Sequence, residues 1–214
     1  MSGRTMVLWV APLIALVLGV GAAMVLLGPR SVDPPTLLHA TQIPPRLVAD
    51  FELVDQHGAP FGPERMRGRW SLLFFGYTHC PDVCPATMHV LDGAVKEIHA
   101  LADPAPDTQV VFVSVDPRRD TPQQLAQYVP YFNKDFLGVT GSTEAINRLT
   151  SQLGILHMRS GGDPEGGGYL VDHSASILLF DPQGRQYAVF GPPHDAPQIA
   201  RDFLALARYY EVTR

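Results

Sequence analysis

The chain has 214 residues, with 16 Lys and Arg against 21 Asp and Glu and only 2 Cys. A net charge of −5 does not supply the clustered positive face that a nucleic-acid binder needs, and two cysteines cannot staple a disulfide scaffold. With 46% hydrophobic and 17% charged residues the chain is not a disordered acidic polymer, and its length suits one well-cored domain plus an accessory segment.

The accessory segment comes first. Met6 to Leu27 is an uncharged run of 22 residues between Arg4 and Arg30. At about 1.5 Å per residue it can cross a hydrocarbon core about 30 Å thick, and a membrane helix tolerates its Pro12, Gly19 and Gly21. The rival is a cleaved signal peptide with Gly21-Ala22-Ala23 as the small-residue site; the run exceeds the usual h-region of about 7–15 residues, which favours an uncleaved anchor. No Cys precedes Cys80, so the N-terminal region offers none for lipidation. Residues 1–5 then form a short tail, 6–27 a transmembrane anchor, 28–47 a Pro-rich linker and 48–212 a folded domain. Pro34-Pro35 and Pro44-Pro45 favour an extended spacer. Five residues ahead of the anchor leave no room for a mitochondrial presequence, so a bacterial membrane is the expected setting. Beyond residue 30 the chain holds 14 basic and 21 acidic residues, a net charge of −7.

No repeat of 20–50 residues is visible. Phe51 to Val54 reads as a short strand ended by the turn Gln56-His57-Gly58. Ser71 to Tyr77 is a nearly continuous apolar run, suited to a strand buried on both faces. Met88, Leu91, Val95, Ile98 and Leu101 recur at helical spacing, and Val110 to Val115 is a second buried strand. Together they predict a right-handed parallel βαβ unit. Thr121-Pro122-Gln123-Gln124 starts a helix running toward Tyr128. Phe136 to Thr140 reads as a strand, and Ser142 and Gly154 bound the next helix. Ile177 to Phe180 and Gln186 to Phe190 flank the turn signature Asp181-Pro182-Gln183-Gly184, which predicts a hairpin. Asp195 caps a last helix with Ile199, Phe203, Leu204 and Leu206 on its buried side. This order predicts an α/β, thioredoxin-like fold: a central mixed sheet flanked by helices.

Both cysteines fall in Tyr77-Thr78-His79-Cys80-Pro81-Asp82-Val83-Cys84-Pro85, where a buried strand gives way to a helix. Each precedes a proline, which disfavours the α region. The helix is therefore expected to begin near Pro85, with Cys80–Cys84 a turn and Cys84 close enough to the helix dipole to favour its thiolate. A disulfide across four residues would stabilise weakly, which leaves a redox dithiol or a soft-metal site. Two sulfurs without a second Cys pair do not fill tetrahedral zinc. Copper(I) accepts soft ligands at low coordination, and two thiolates plus an imidazole would satisfy it. Among eight histidines, His39 falls in the linker, His57 in a turn and His99 near a helix end. His173, just ahead of the hairpin, is placed where a thioredoxin-like fold brings a loop against the cysteine turn.

Gly76-Tyr-Thr-His-Cys-Pro-Asp-Val-Cys-Pro85, Val113-Ser-Val-Asp-Pro117 with Asp120-Thr-Pro122, Gly138-Val-Thr-Gly141 and Tyr169-Leu-Val-Asp-His173 together resemble the Sco (SenC) family over about residues 48 to 208. The resemblance implies a copper metallochaperone for the binuclear copper centre of cytochrome c oxidase subunit II, with other periplasmic copper chaperones and thiol reductants as further partners. It implies Cys80, Cys84 and His173 as copper ligands, and Asp116 as an accessory group, an oxygen donor to copper(II) or a turn-shaping acid. The segment 160–168 is more glycine-rich than the family pattern. His157, Met158, His79, Met88 and His89 lie near enough in sequence to be transient contacts, although ordinary structural roles explain them more simply.

The alternative function is a thiol–disulfide reductase that uses Cys80 and Cys84 as attacking and resolving thiols. A peroxidase on the same fold lacks a visible activating constellation. Both leading readings place residues from Gly28 onward in the periplasm, Met1–Thr5 in the cytoplasm and the anchor in the bacterial inner membrane.

Overall fold

The computed structural model describes residues 16–21, 33–161 and 169–214, the His173 side chain excepted. Residues 35–212 belong to one compact unit. The expected tail 1–5, most of the anchor 6–27 and most of the glycine-rich segment lie outside the described residues. Residues 16–21 are helical, and among the described residues no helix is long and apolar enough to cross a membrane.

An eight-stranded mixed sheet organises the unit. Its strands are β1 (Ala40–Leu47), β2 (Leu53–Asp55), β3 (Pro60–Phe61), β4 (Trp70–Gly76), β5 (Thr108–Ser114), β6 (Leu137–Thr140), β9 (Ile177–Phe180) and β10 (Arg185–Phe190). They lie in the order β1-β10-β9-β4-β5-β6-β2-β3. A separate two-stranded ladder joins β7 (His157–Ser160) to β8 (Leu170–His173). The helices are α1 (Val83–Leu101), α2 (Pro122–Tyr128), α3 (Thr143–Leu153) and α4 (Ala196–Thr213).

The apolar runs explain the centre. All seven residues of β4 are buried, because parallel β5 covers one edge and antiparallel β9 the other while helices cover the faces. Helix α1 buries Met88, Leu91, Ala94 and Ile98, and α4 buries Ile199, Phe203, Leu206 and Tyr210. Trp70 anchors the α4 side with edge-to-face contacts to Tyr187, Phe203 and Tyr210 at centroid distances of 5.6, 5.5 and 5.3 Å. The expected caps are present: Thr121 Oγ1 accepts from Gln124 N, Ser142 Oγ from Ala145 N and Asp195 Oδ1 from Gln198 N. Gly154 closes α3 at φ 70°, a left-handed conformation that favours glycine. The β9–β10 hairpin forms around Asp181, whose carboxylate accepts from Gln183 N and Arg185 N.

The stretch read as linker contributes a strand from Ala40 onward. Strand β1 pairs antiparallel with β10 at the sheet edge, and its register slips between Gln42 and Arg46, where Pro44-Pro45 can donate no ladder bond. Its entry is held by Asp202 of α4, a buried carboxylate that accepts from the amides of Leu38, His39 and Ala40 at 2.7–3.1 Å. Hydrogen bonds to charged groups contribute about 1.5–3 kcal/mol. Asp202→Ala is therefore expected to cost about 3 kcal/mol and to accelerate amide exchange across β1 while leaving β4 protected. Native-state hydrogen exchange checks both.

Candidate metal centre

The sheet register decides what meets at its active end. Parallel β4 and β5 end together at Gly76 and Ser114, so the cysteine segment and Val115–Asp120 leave the sheet side by side. Ile177, the first residue of β9, pairs with Phe74 of β4, which brings the backbone preceding β9, and hence the end of β8, to the same edge. A hydrogen bond between Tyr77 and the Val171 backbone fastens β8 there. The backbone of His173 pairs with His157 across the β7–β8 ladder. The His173 side chain lies outside what is described.

Helix α1 begins at Val83, with Asp82 as its N-cap, rather than near Pro85. Cys84 adopts helical geometry despite the following proline. Pro85 falls in the first turn, where backbone N–H groups have no intrahelical acceptor and a missing one costs little. Cys80 stays outside in the preceding turn. No S–S bond joins the pair; Cys84 is fully buried and Cys80 half-buried.

The expectation of a thiolate-favouring Cys84 is corrected. Its hydrogen bond with the Cys80 side chain, and then burial, push the Cys84 thiol well above the ordinary range. The Cys84 amide, a donor at the helix N-terminus, instead points to Cys80 Sγ at 3.4 Å. The dipole of α1 therefore serves the outer sulfur. Gly76 makes room for the inner one: a Cβ there would lie 2.9 Å from Cys84 Sγ and 2.8 Å from the Phe112 ring. Gly76→Ala is expected to cost about 1–3 kcal/mol by overpacking and to displace the Cys84 sulfur, read as a lower Tm together with weakened metal binding.

Two buried carboxylates stand behind the cysteines. Asp120 accepts from Thr78 N at 3.0 Å, Thr78 Oγ1 at 2.6 Å and Ser114 Oγ at 2.7 Å, and so fixes the turn leading to Cys80. Burial pushes its carboxyl above the ordinary range, and these hydrogen bonds pull it partly back. Asp116 has both oxygens engaged: Oδ1 accepts from Tyr169 Oη at 2.8 Å and Oδ2 from Arg119 Nε. It is fully buried and organises this network. The Arg119 guanidinium lies 3.8 Å from the Tyr169 ring centroid and 5.6 Å from that of Tyr77, and it donates to the Tyr169 carbonyl at 3.1 Å. Arg119, Asp120, Tyr77 and Tyr169 thus tie the segment leading into β8 to the cysteine segment. Three of these four stood inside the quoted motifs, but only as members of a pattern.

The remaining candidates are dispersed. His79 is exposed and lies 3.0 Å from Thr78 Oγ1 through Nδ1. Met88 is in the core, and the His89 ring packs edge-on against Phe132 with centroids 4.9 Å apart. His57 and His99 are exposed. Met158 is exposed, and His157 Nε2 meets Asn147 Oδ1 at 3.1 Å. Among the described residues no three His, Cys, Asp or Glu side chains close into a metal cage.

The fold and site define a thioredoxin-like domain whose sole cysteines form a dithiol at a strand–helix junction. Residues 39–208 match the SCO1/SenC family, and the chain belongs to it. An SCO2-like protein of Rickettsia felis is 33% identical over 189 residues, covering 86% of this chain and 90% of its own. The crystal structure of Arabidopsis thaliana ScoI with copper bound shares 33% identity at a TM-score of 0.71, covering 76% of this chain and 98% of that one. Copper-bound ScoI of Bradyrhizobium japonicum shares 31% identity at a TM-score of 0.65, covering 76% and 99%.

Proposed function

We propose that this chain is a membrane-anchored copper chaperone that delivers copper to the binuclear centre of cytochrome c oxidase subunit II. Residues 6–27 hold it in the bacterial inner membrane, Met1–Thr5 face the cytoplasm, and the copper-binding domain stands in the periplasm. Copper is the cargo, held by Cys80, Cys84 and His173. Family membership and copper-bound relatives support the metal. The observation that carries the reading is the stacked dithiol, an accessible Cys80 hydrogen-bonded to a buried Cys84 at the sheet end where β8 arrives.

This arrangement suits transfer. Two soft sulfurs and one imidazole satisfy copper(I) and leave a face open for an acceptor's incoming ligand. Cys80 meets the metal first, and the Cys84 proton leaves as the inner bond forms. Binding therefore releases protons and weakens as pH falls.

The asymmetry of exposure also supports the second reading, a thiol–disulfide reductase in which Cys80 attacks and Cys84 resolves. His173→Ala separates the two. In a copper titration with absorption spectra, the chaperone reading expects sharply weaker binding and an altered sulfur-to-copper band, together with loss of oxidase assembly. Full assembly activity in His173→Ala would give the site to the reductase.

A further inference from the structure

Two histidines away from the dithiol carry buried ring nitrogens with no hydrogen-bond partner among the described residues. His39 immediately precedes β1, and His194 lies between β10 and α4. Their ring centroids are 6.0 Å apart with planes at 83°. His194 Nε2 lies 2.6 Å from the Ala175 carbonyl oxygen. A carbonyl only accepts, so Nε2 carries the proton and Nδ1 is left with its lone pair. That Nδ1 is sealed from solvent and meets no hydrogen-bonding partner among the described residues; the same holds for Nε2 of His39. Buried ring nitrogens normally find a partner, and two neighbouring imidazoles that both lack one call for a shared occupant.

We propose that His39 and His194 form a second metal site, separate from the cysteine pair, that takes copper(I) as a two-coordinate ion between His39 Nε2 and His194 Nδ1. Three features carry this. His194 already has the arrangement of a metal ligand, with its second nitrogen donating to a backbone carbonyl that fixes tautomer and ring orientation. The spacing fits as well. With metal–nitrogen bonds of about 2.0 Å and each nitrogen about 1.1 Å from its own ring centroid, two rings sharing one linearly coordinated ion stand about 6.2 Å apart, close to the observed 6.0 Å. The donor count selects the metal, because zinc would find only two of the four donors it requires whereas imidazole suits copper. Burial lowers the pKa of His194 and so favours the neutral imidazole that binds metal. Through Ala175 the site also borders the chain between β8 and β9.

The test is copper(I) titration of the full chain in detergent, under reducing conditions and against a competing copper(I) chelator. The wild type is expected to bind two equivalents and Cys80→Ser/Cys84→Ser/His173→Ala one, with X-ray absorption of that variant showing nitrogen ligands only. Adding His194→Gln should abolish the remaining equivalent, because Gln keeps an N–H for Ala175 but deletes the Nδ1 lone pair. His39→Gln, which leaves the Ala175 bond untouched, should do the same. Zinc(II) in place of copper(I) should bind the triple variant far more weakly. No copper bound by the triple variant, or binding indifferent to both histidine changes, overturns the proposal. Failure of the cysteine site would appear separately, as missing sulfur ligation in the wild type.

Discussion

Copper added to the Cys84→Ser protein is expected to bind more than about 100-fold more weakly than to wild type, a larger loss than the 10–100-fold typical of deleting a group behind a metal ligand. The substitution is informative because it barely disturbs the fold. Serine is smaller than cysteine, fits under Gly76 and Phe112, and can keep the side-chain hydrogen bond to Cys80, while its backbone amide still donates to the Cys80 sulfur. Cys80→Ser should lose binding to a similar degree, but for a different reason. Cys80 is the half-exposed sulfur that receives the helix N-terminal amide, so it is the group that incoming metal or disulfide meets first. Iodoacetamide is accordingly expected to alkylate Cys80 well before Cys84 in the metal-free protein, and copper should protect both. Peptide mass mapping after timed alkylation reads this order directly. Wild-type affinity in Cys84→Ser would remove the inner sulfur from the site, and faster alkylation of Cys84 would reverse the roles.

The sequence carried the parts of this molecule that depend on local period. Ser71 to Tyr77 read as a doubly buried strand; all seven residues are buried, and the strand runs Trp70–Gly76. Met88, Leu91, Val95, Ile98 and Leu101 read as one helical face; Met88, Leu91 and Ile98 line the core, Val95 packs at its margin, and Leu101, the last residue of α1, is exposed. Ser142 and Asp195 cap the helices they precede. What the sequence concealed depends on polar bonds between distant residues. Strand β1 has no alternating apolar pattern, and it is held by Asp202, a side chain 162 to 164 positions away. The turn at Cys80 is set by Asp120, 42 positions beyond Thr78.

The cysteine site shows the same division. Motif and junction were visible in the chain, whereas the protonation preference was not. Proximity to a helix N-terminus favours a thiolate only where the sulfur also keeps solvent or a donor. Cys84 instead lies beneath Cys80 with its sulfur hydrogen-bonded to it, so burial and that bond outweigh the dipole. Membrane insertion belongs with the features read from sequence, since the run from Met6 to Leu27 lies mostly outside the described residues. A reporter fused after Arg214 would be active in the periplasm under the proposed orientation.

Arg119→Ala is expected to be the most destabilising single change near the site. Asp116 is fully buried and Arg119 nearly so, and removing one member of a buried ion pair typically costs about 3–5 kcal/mol because the other charge is stranded. For a domain of this size that corresponds to a Tm lower by about 10 °C. The loss should spread in one direction. Arg119 also donates to the Tyr169 carbonyl and covers the Tyr169 and Tyr77 rings, so its removal loosens the attachment of the segment entering β8. Amide exchange in β8 should accelerate more than in β5, and copper affinity should fall although no proposed copper ligand has changed. Replacing both partners, Arg119→Leu with Asp116→Leu, removes the stranded charge, so the double variant should be more stable than Arg119→Ala and show a non-additive coupling. It should still bind copper poorly, because Tyr169 then has neither Asp116 nor Arg119 to hold it. If the double variant regained wild-type copper affinity, the network would be stabilising the fold without positioning the β8 segment.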